Sequence, residues 1–125
     1  MNRYEGSIAF DIVARDAESA TAVMPVTAGM RNPFGTVHAG AMLWFADVTA
    51  TTLALEGREL APGMSGFPLA VSLNAHLLGN QGDGTLEAVA RYVKRGRTLA
   101  IVRTVVTGSE GRLLADVTTS HMMSR

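Results

Sequence analysis

Between Val37 and Leu55 the chain reads VHAGAMLWFADVTATTLAL, rich in alanine and leucine, free of proline and apolar on nearly every side. Such a segment predicts a helix that the fold buries. Asp47 is the only formally charged side chain within it when His38 is neutral. A carboxylate there must be hydrogen-bonded, paired, protonated or in use, because burying an uncompensated charge is costly. Asp47 is therefore the first functional lead.

The flanks of this helix predict what covers it. Asn32-Pro33-Phe34-Gly35 breaks the chain before it, with Thr36 as the expected N-cap and Gly57 as the C-terminal stop. Upstream, residues 7–14 alternate Ile8, Phe10, Ile12 and Ala14 with strand periodicity. Residues 21–27 read as a second strand, in which Pro25 indicates an edge or a bulge. After a loop over residues 57–68, strand-like runs cover Leu69–Leu78, Thr85–Lys94, Thr98–Thr107 and about Arg112–Met122. Their connections are short and contain glycine, which predicts antiparallel hairpins. The order β-β-α-β-β-β-β has one economical arrangement: an α+β fold with a curved antiparallel β-sheet wrapped around one long central α-helix.

At 125 residues the chain predicts one domain spanning 1–125, large enough for a core yet small enough to gain from association. Apolar residues make up 47% and charged residues only 18%, which argues against disorder and suggests that another subunit covers part of the surface. Eleven basic and eleven acidic residues cancel, so no overall field draws the chain to nucleic acid or to an anionic membrane. Zero cysteines exclude a disulfide framework, a thiolate zinc site and a cysteine nucleophile. The opening MNRYEGSIAFD lacks a signal-peptide core, and the longest apolar run, Ala39 to Ala46, is too short to span a bilayer. The expectation is a soluble cytoplasmic protein without membrane or nucleic-acid partners.

The segment NPFGTVHAGAMLWFAD, from Asn32 to Asp47, resembles the signature of hotdog-fold acyl-CoA thioesterases of the phenylacetate-degradation (PaaI-like) group. That signature is an Asn, a glycine-bearing loop, His-Gly-Gly, and an Asp nine residues after the His. Gly82-Asp83, Gly96-Arg97 and the run Glu110-Gly111-Arg112-Leu113-Leu114-Ala115 extend the resemblance over about residues 20–121. Ala39 departs from it, standing where the first glycine of His-Gly-Gly is usual, but keeps the backbone N–H that matters there. The resemblance implies a homodimer, or a dimer of dimers, in which the helix N-terminus of one copy faces the Asp of the other. It implies acyl-CoA as the substrate and no metal or redox cofactor. Spacing favours the same conclusion independently: nine helical residues give about 900° and a rise of about 13.5 Å, so His38 and Asp47 cannot meet on one helix. Across a two-fold axis they can.

Thioester hydrolysis needs donors for the carbonyl oxygen and a carboxylate that attacks or activates water. The first helical turn offers free N–H groups and a partial positive charge, which makes Ala39 and Gly40 the oxyanion candidates. Asp47 is the candidate nucleophile or general base, against a purely structural carboxylate bonded to a strand. Thr51, four residues on, shares its face and either orients the carboxylate or returns its hydroxyl to the helix backbone. His38 either orients the thioester or holds the loop, and Asn32 either donates to substrate or pins its own turn. Ser72 alternates with Asn74 and His76 on one face of the third strand, a minor candidate for the substrate site against a solvated sheet face. Lys94, Arg95 and Arg97 cluster at a hairpin and offer charge to the phosphates of coenzyme A, against a solvated turn. His38, His76, His121 and Asp47 lack metal-ligand spacing, so no metal is predicted. Two other readings compete: a hotdog hydratase or dehydratase of acyl thioesters, and a non-catalytic acyl-CoA binder.

Overall fold

The computed structural model describes residues 2–124. Six strands form one antiparallel sheet: β1 (Asp11–Arg15), β2 (Ser19–Pro25), β3 (Pro68–Leu77), β4 (Thr85–Arg95), β5 (Leu99–Thr107) and β6 (Leu113–Met123). One long helix, α1 (Ala39–Ala54), packs against it. The sheet order is β1-β2-β4-β5-β6-β3.

Side-chain alternation explains how the sheet holds the helix. Strands β2, β4, β5 and β6 alternate buried and more exposed residues, and the buried set faces α1. That inner face carries many alanines, among them Ala20, Ala22, Ala88, Ala90, Ala100 and Ala115. Small residues on the sheet leave room for large ones from the helix, and Met42, Phe45 and Leu53 are fully buried there. The arrangement is a large-into-small jigsaw, so truncating Phe45 to Ala would cost about 3–5 kcal/mol.

Four expectations shift. Residues 7–10 are not part of a strand; β1 begins at Asp11, because Phe10 turns onto the helix and packs its ring edge-on against Trp44 and Phe45 at 4.8 and 5.0 Å. Pro25 marks neither an edge strand nor a bulge: it ends β2, beyond the last β1 pair at Asp11–Val23, where no partner needs its missing N–H. The register shift falls in β1, between Ile12 and Ala14. The segment between β3 and β4 is a crossover rather than a hairpin, since β3 pairs with β6 at the opposite edge of the sheet from β1. Thr36 does not cap the helix; His38 occupies the N-cap position and its side chain makes no capping bond. At the other end Glu56 and Gly57 adopt positive φ, which stops the helix close to the expected glycine.

Candidate active site

The approach to the helix is fixed by two asparagines. Asn32 folds the chain on itself: its Oδ1 accepts the Phe34 and Thr36 amides at 3.0 and 3.1 Å, and its Nδ2 donates to the Thr36 hydroxyl at 2.8 Å. Thr36 is thereby taken from the helix cap. Asn32 pins its own turn. Asn80, in the β3–β4 crossover, clamps the residue before the N-cap: its Oδ1 accepts from Val37 N at 3.0 Å and its Nδ2 donates to Val37 O at 2.8 Å. His38 N donates to Met30 O at 2.8 Å, and His38 O accepts the Ala41 and Met42 amides. This consumes the donors of the third and fourth helical residues. Among the described residues the Ala39 and Gly40 N–H groups have no partner, and both residues are exposed. A Cβ added at Gly40 would meet nothing within 4 Å, so packing within one copy does not explain that glycine.

Asp47 lies about 12 Å along the helix axis from Ala39. Gly40, Trp44, Asp47 and Thr51 form the stripe of α1 that the sheet leaves at least partly uncovered. Yet Asp47 Oδ1 is itself buried and has no hydrogen-bond partner among the described residues. Such an atom is costly to leave unmade unless something else completes it. Thr51 stays beside it: Thr49 and Thr52 return their hydroxyls to the carbonyls of Phe45 and Val48 at 2.6 and 2.8 Å, and Thr51 makes no such bond. His121, on the sheet, feels the charge of Asp47. It is fully buried on β6, with Nδ1 3.3 Å from Pro68 O and Nε2 2.7 Å from the Thr119 hydroxyl. A carbonyl only accepts, so Nδ1 carries the proton and the Thr119 hydroxyl donates to Nε2. Burial pushes the His121 imidazole below the usual histidine range, with the Pro68 carbonyl and the Asp47 carboxylate pulling the other way.

The remaining candidates lie elsewhere in the protomer. Ser72 pairs with Ser120 and, with Asn74 and His76, sits on the sheet face turned away from the helix. Arg95 is tied to Glu56 by a 2.8 Å ion pair and lies 5.2 Å over the Tyr92 ring. The Arg95 guanidinium holds the Glu56 carboxyl below the usual range. Arg97 lines a recess of about 340 Å³ with Arg58 and Gly66 at the C-terminal end of the helix. Lys94 is exposed at the register shift in β4. Among the described residues no three His, Asp or Glu side chains gather as metal ligands would. One helix end thus presents unpaired donors, the same helix face presents a carboxylate, and arginines stand at the other end.

No protein-family model matches the sequence. A Bacillus subtilis (strain 168) protein named "Putative esterase ComA2" is 30% identical over 108 residues, covering 86% of this chain and 83% of the relative. The structure superposes on the Escherichia coli PaaI protein of the phenylacetic acid degradation operon with a TM-score of 0.82, covering 93% of this chain and 80% of that one at 20% identity. The chain belongs to the hotdog-fold esterases and thioesterases, the family of ComA2 and PA1618. Pseudomonas aeruginosa PA1618 is 33% identical to this thioesterase over 79% of its length and 66% of the relative. A thioesterase from Staphylococcus aureus Mu50 superposes with a TM-score of 0.85 over 93% of both chains at 19% identity. A hypothetical thioesterase from Streptococcus pneumoniae, solved with coenzyme A, gives 0.81 over 93% and 86% at 16% identity. Among the described residues of the thioesterase no helix is long and apolar enough to cross a membrane.

Sequence reasoning missed three contributors. Asn80 looks like an ordinary turn residue until the crossover brings it to Val37. His121 offers the sequence only a metal-ligand reading, although its place in an alternating strand marks it as inward-facing. Ser7 and Ile8, at the start of the strand expected over 7–14, instead line a recess beside Gly40 and Trp44.

Proposed function

We propose that this thioesterase hydrolyses acyl-CoA thioesters to free acid and coenzyme A as a homodimer, each site combining groups from two copies. The observation that carries this is the geometry of one helix face. Gly40 and Asp47 are seven residues apart, so they lie on the same side of α1 yet about 10.5 Å apart along its axis. A single thioester carbonyl cannot reach both. Two antiparallel helices facing each other about a two-fold axis near Leu43 and Trp44 bring Gly40 of one copy opposite Asp47 of the other. The edge strand β3 supports such an association, since Leu69, Val71, Leu73 and Leu77 are all more than 40% exposed on a ten-residue strand with one unpaired side.

In this site the Ala39 and Gly40 N–H groups donate to the carbonyl oxygen and stabilise the oxyanion as it forms. Asp47 either attacks the carbonyl carbon or takes the proton of the water that does, and the thiolate of coenzyme A departs. Thr51, with its hydroxyl uncommitted to the helix backbone, orients the carboxylate or the water. His38 borders the thioester at the N-cap, and Asn32 and Asn80 hold that turn in place. Arg97 and Arg58, with Lys94 nearby, offer charge to the coenzyme phosphates, while Arg95 is engaged by Glu56. The staphylococcal thioesterase lends support: its structures carry alanine in place of a glutamine and of a glutamate fifteen positions apart (32 to 47). The same interval separates Asn32 from Asp47.

The test is thiol release from a panel of acyl-CoAs, with Asp47→Ala in parallel. The protein has no cysteine, so every thiol detected comes from substrate. Turnover by the wild type that is lost in the variant is the expected result. Water addition to a 2-enoyl-CoA without thiol release would instead mark a hydratase.

A further inference from the structure

Gly40, one of the two residues of the first helical turn whose N–H has no partner among the described residues, borders a recess of about 200 Å³ also lined by Ser7, Ile8, Met30, His38 and Trp44. We propose that this recess takes the acyl group, and that the N-terminal segment Gly6–Phe10, as its wall, sets the limit on acyl size. This rests on the thioesterase reading above, because it places the thioester carbonyl at the Gly40 N–H. The carbon next to that carbonyl must then enter whatever space adjoins Gly40, and the space is apolar.

The wall is built into the fold. Ser7 N donates to Gly29 O at 3.0 Å. The approach is so close that a Cβ on Gly29 would overlap the Ser7 side chain and lie 2.9 Å from its backbone N and O. A Cβ on Gly6 would likewise lie 2.9 Å from Gly29 O. Two glycines therefore seat the segment, and Phe10 anchors its far end edge-on against Trp44 and Phe45. Between these anchors Ile8 is half-buried and packs against the core as it lines the recess.

Size and chemistry define the ligand class. An apolar cavity of about 150 Å³ accepts benzene, so a recess of this size suits uncharged acyl groups of about six carbons. No lysine or arginine lines it, which disfavours acyl groups that end in a second carboxylate.

The test measures kcat/KM by thiol release for straight-chain acyl-CoAs of two to twelve carbons and for succinyl-CoA. In parallel, affinity for the matching non-hydrolysable S-alkyl-CoA thioethers is measured by calorimetry. Both series are expected to climb roughly fourfold per methylene up to about six carbons and then fall, with succinyl-CoA at least tenfold below butyryl-CoA. Ile8→Ala should move the limit two to three carbons longer, and Ile8→Phe should shorten it. Opposite shifts from two variants at one position separate pocket size from loss of fold. Gly29→Ala, which unseats the wall, should blur the limit. A limit that stays put in both Ile8 variants, or a profile still rising at twelve carbons, overturns the proposal. If no acyl-CoA is hydrolysed but the thioether affinities follow the expected limit, the catalytic reading fails and the acyl recess stands. If the affinities ignore chain length, the recess fails on its own.

Discussion

Asp47 is a carboxylate whose inner oxygen is buried without a partner in one copy, on a helix whose other buried polar groups are bonded within it or face the sheet. A structural carboxylate would be satisfied by its own chain, so the account expects stability and activity to separate there. Asp47→Asn should lower turnover by about 10²–10⁴, while the melting temperature holds or rises because a buried charge is gone. Thermal melts beside thiol-release rates check this; a variant that unfolds would return Asp47 to a structural role. His121 gives a second expectation. It is buried and neutral with its imidazole held below the free value of about 6.5. Between those two values the unfolded chain binds more protons than the folded one, so stability rises with pH there. The contribution is complete above about pH 6.5 and is lost as pH falls below it. Replacing His121 with Gln should flatten the melting temperature between pH 6.5 and 5. The lowered carboxyls of Asp16, Glu56 and Asp116 act in a separate window at more acid pH. A wild-type melting temperature that is flat from pH 7 to 5 would contradict this.

The elements divide into those whose periodicity is a matter of the chain itself and those decided by distant contacts. The helix, and the strands after it, are legible because an apolar run and strict alternation are properties of consecutive residues. The failures share one cause. Thr36 is a good cap by type, but Asn32 holds it. Ile8 and Phe10 alternate as a strand does, but aromatic packing on Trp44 outweighs pairing. Asn80 has no local signal at all, because its partner Val37 is 43 residues away. The candidate site is legible to the same extent: the proposed roles of Asp47, Ala39 and Gly40 follow from the helix, whereas the clamp and the buried imidazole depend on the sheet's crossover. Removing the clamp with Asn80→Ala takes the Asn80 donor from the Val37 carbonyl and leaves the Val37 N–H only its 3.3 Å bond to Gln81 O, which should cost about 1–3 kcal/mol. It should also lower kcat more than it raises KM, because the proposed oxyanion donors sit on the turn it holds. Equal kcat in the variant would make Asn80 merely structural. The edge strand carries its own expectation. A lysine at Leu73 places a charge on the exposed edge, and sedimentation should show monomers with no thioesterase turnover. A monomer at full turnover would show that one copy suffices.

At the scale of the molecule, the fold solves the burial of one apolar helix and leaves one stripe of it open, with the groups of the proposed reaction spread along and beyond that stripe. Donors stand at one end, the carboxylate two turns on, the arginines at the far end. No one copy brings them together, and that is the central claim. Subunit complementation tests it most directly: Asp47→Ala and His38→Ala proteins, each inactive alone, are unfolded together, refolded and assayed for thiol release. Random pairing makes half the dimers mixed. Each mixed dimer holds one site with both residues intact, so about a quarter of wild-type activity should return. A mixture as inactive as its components would place His38 and Asp47 in the same copy's site and contradict the account.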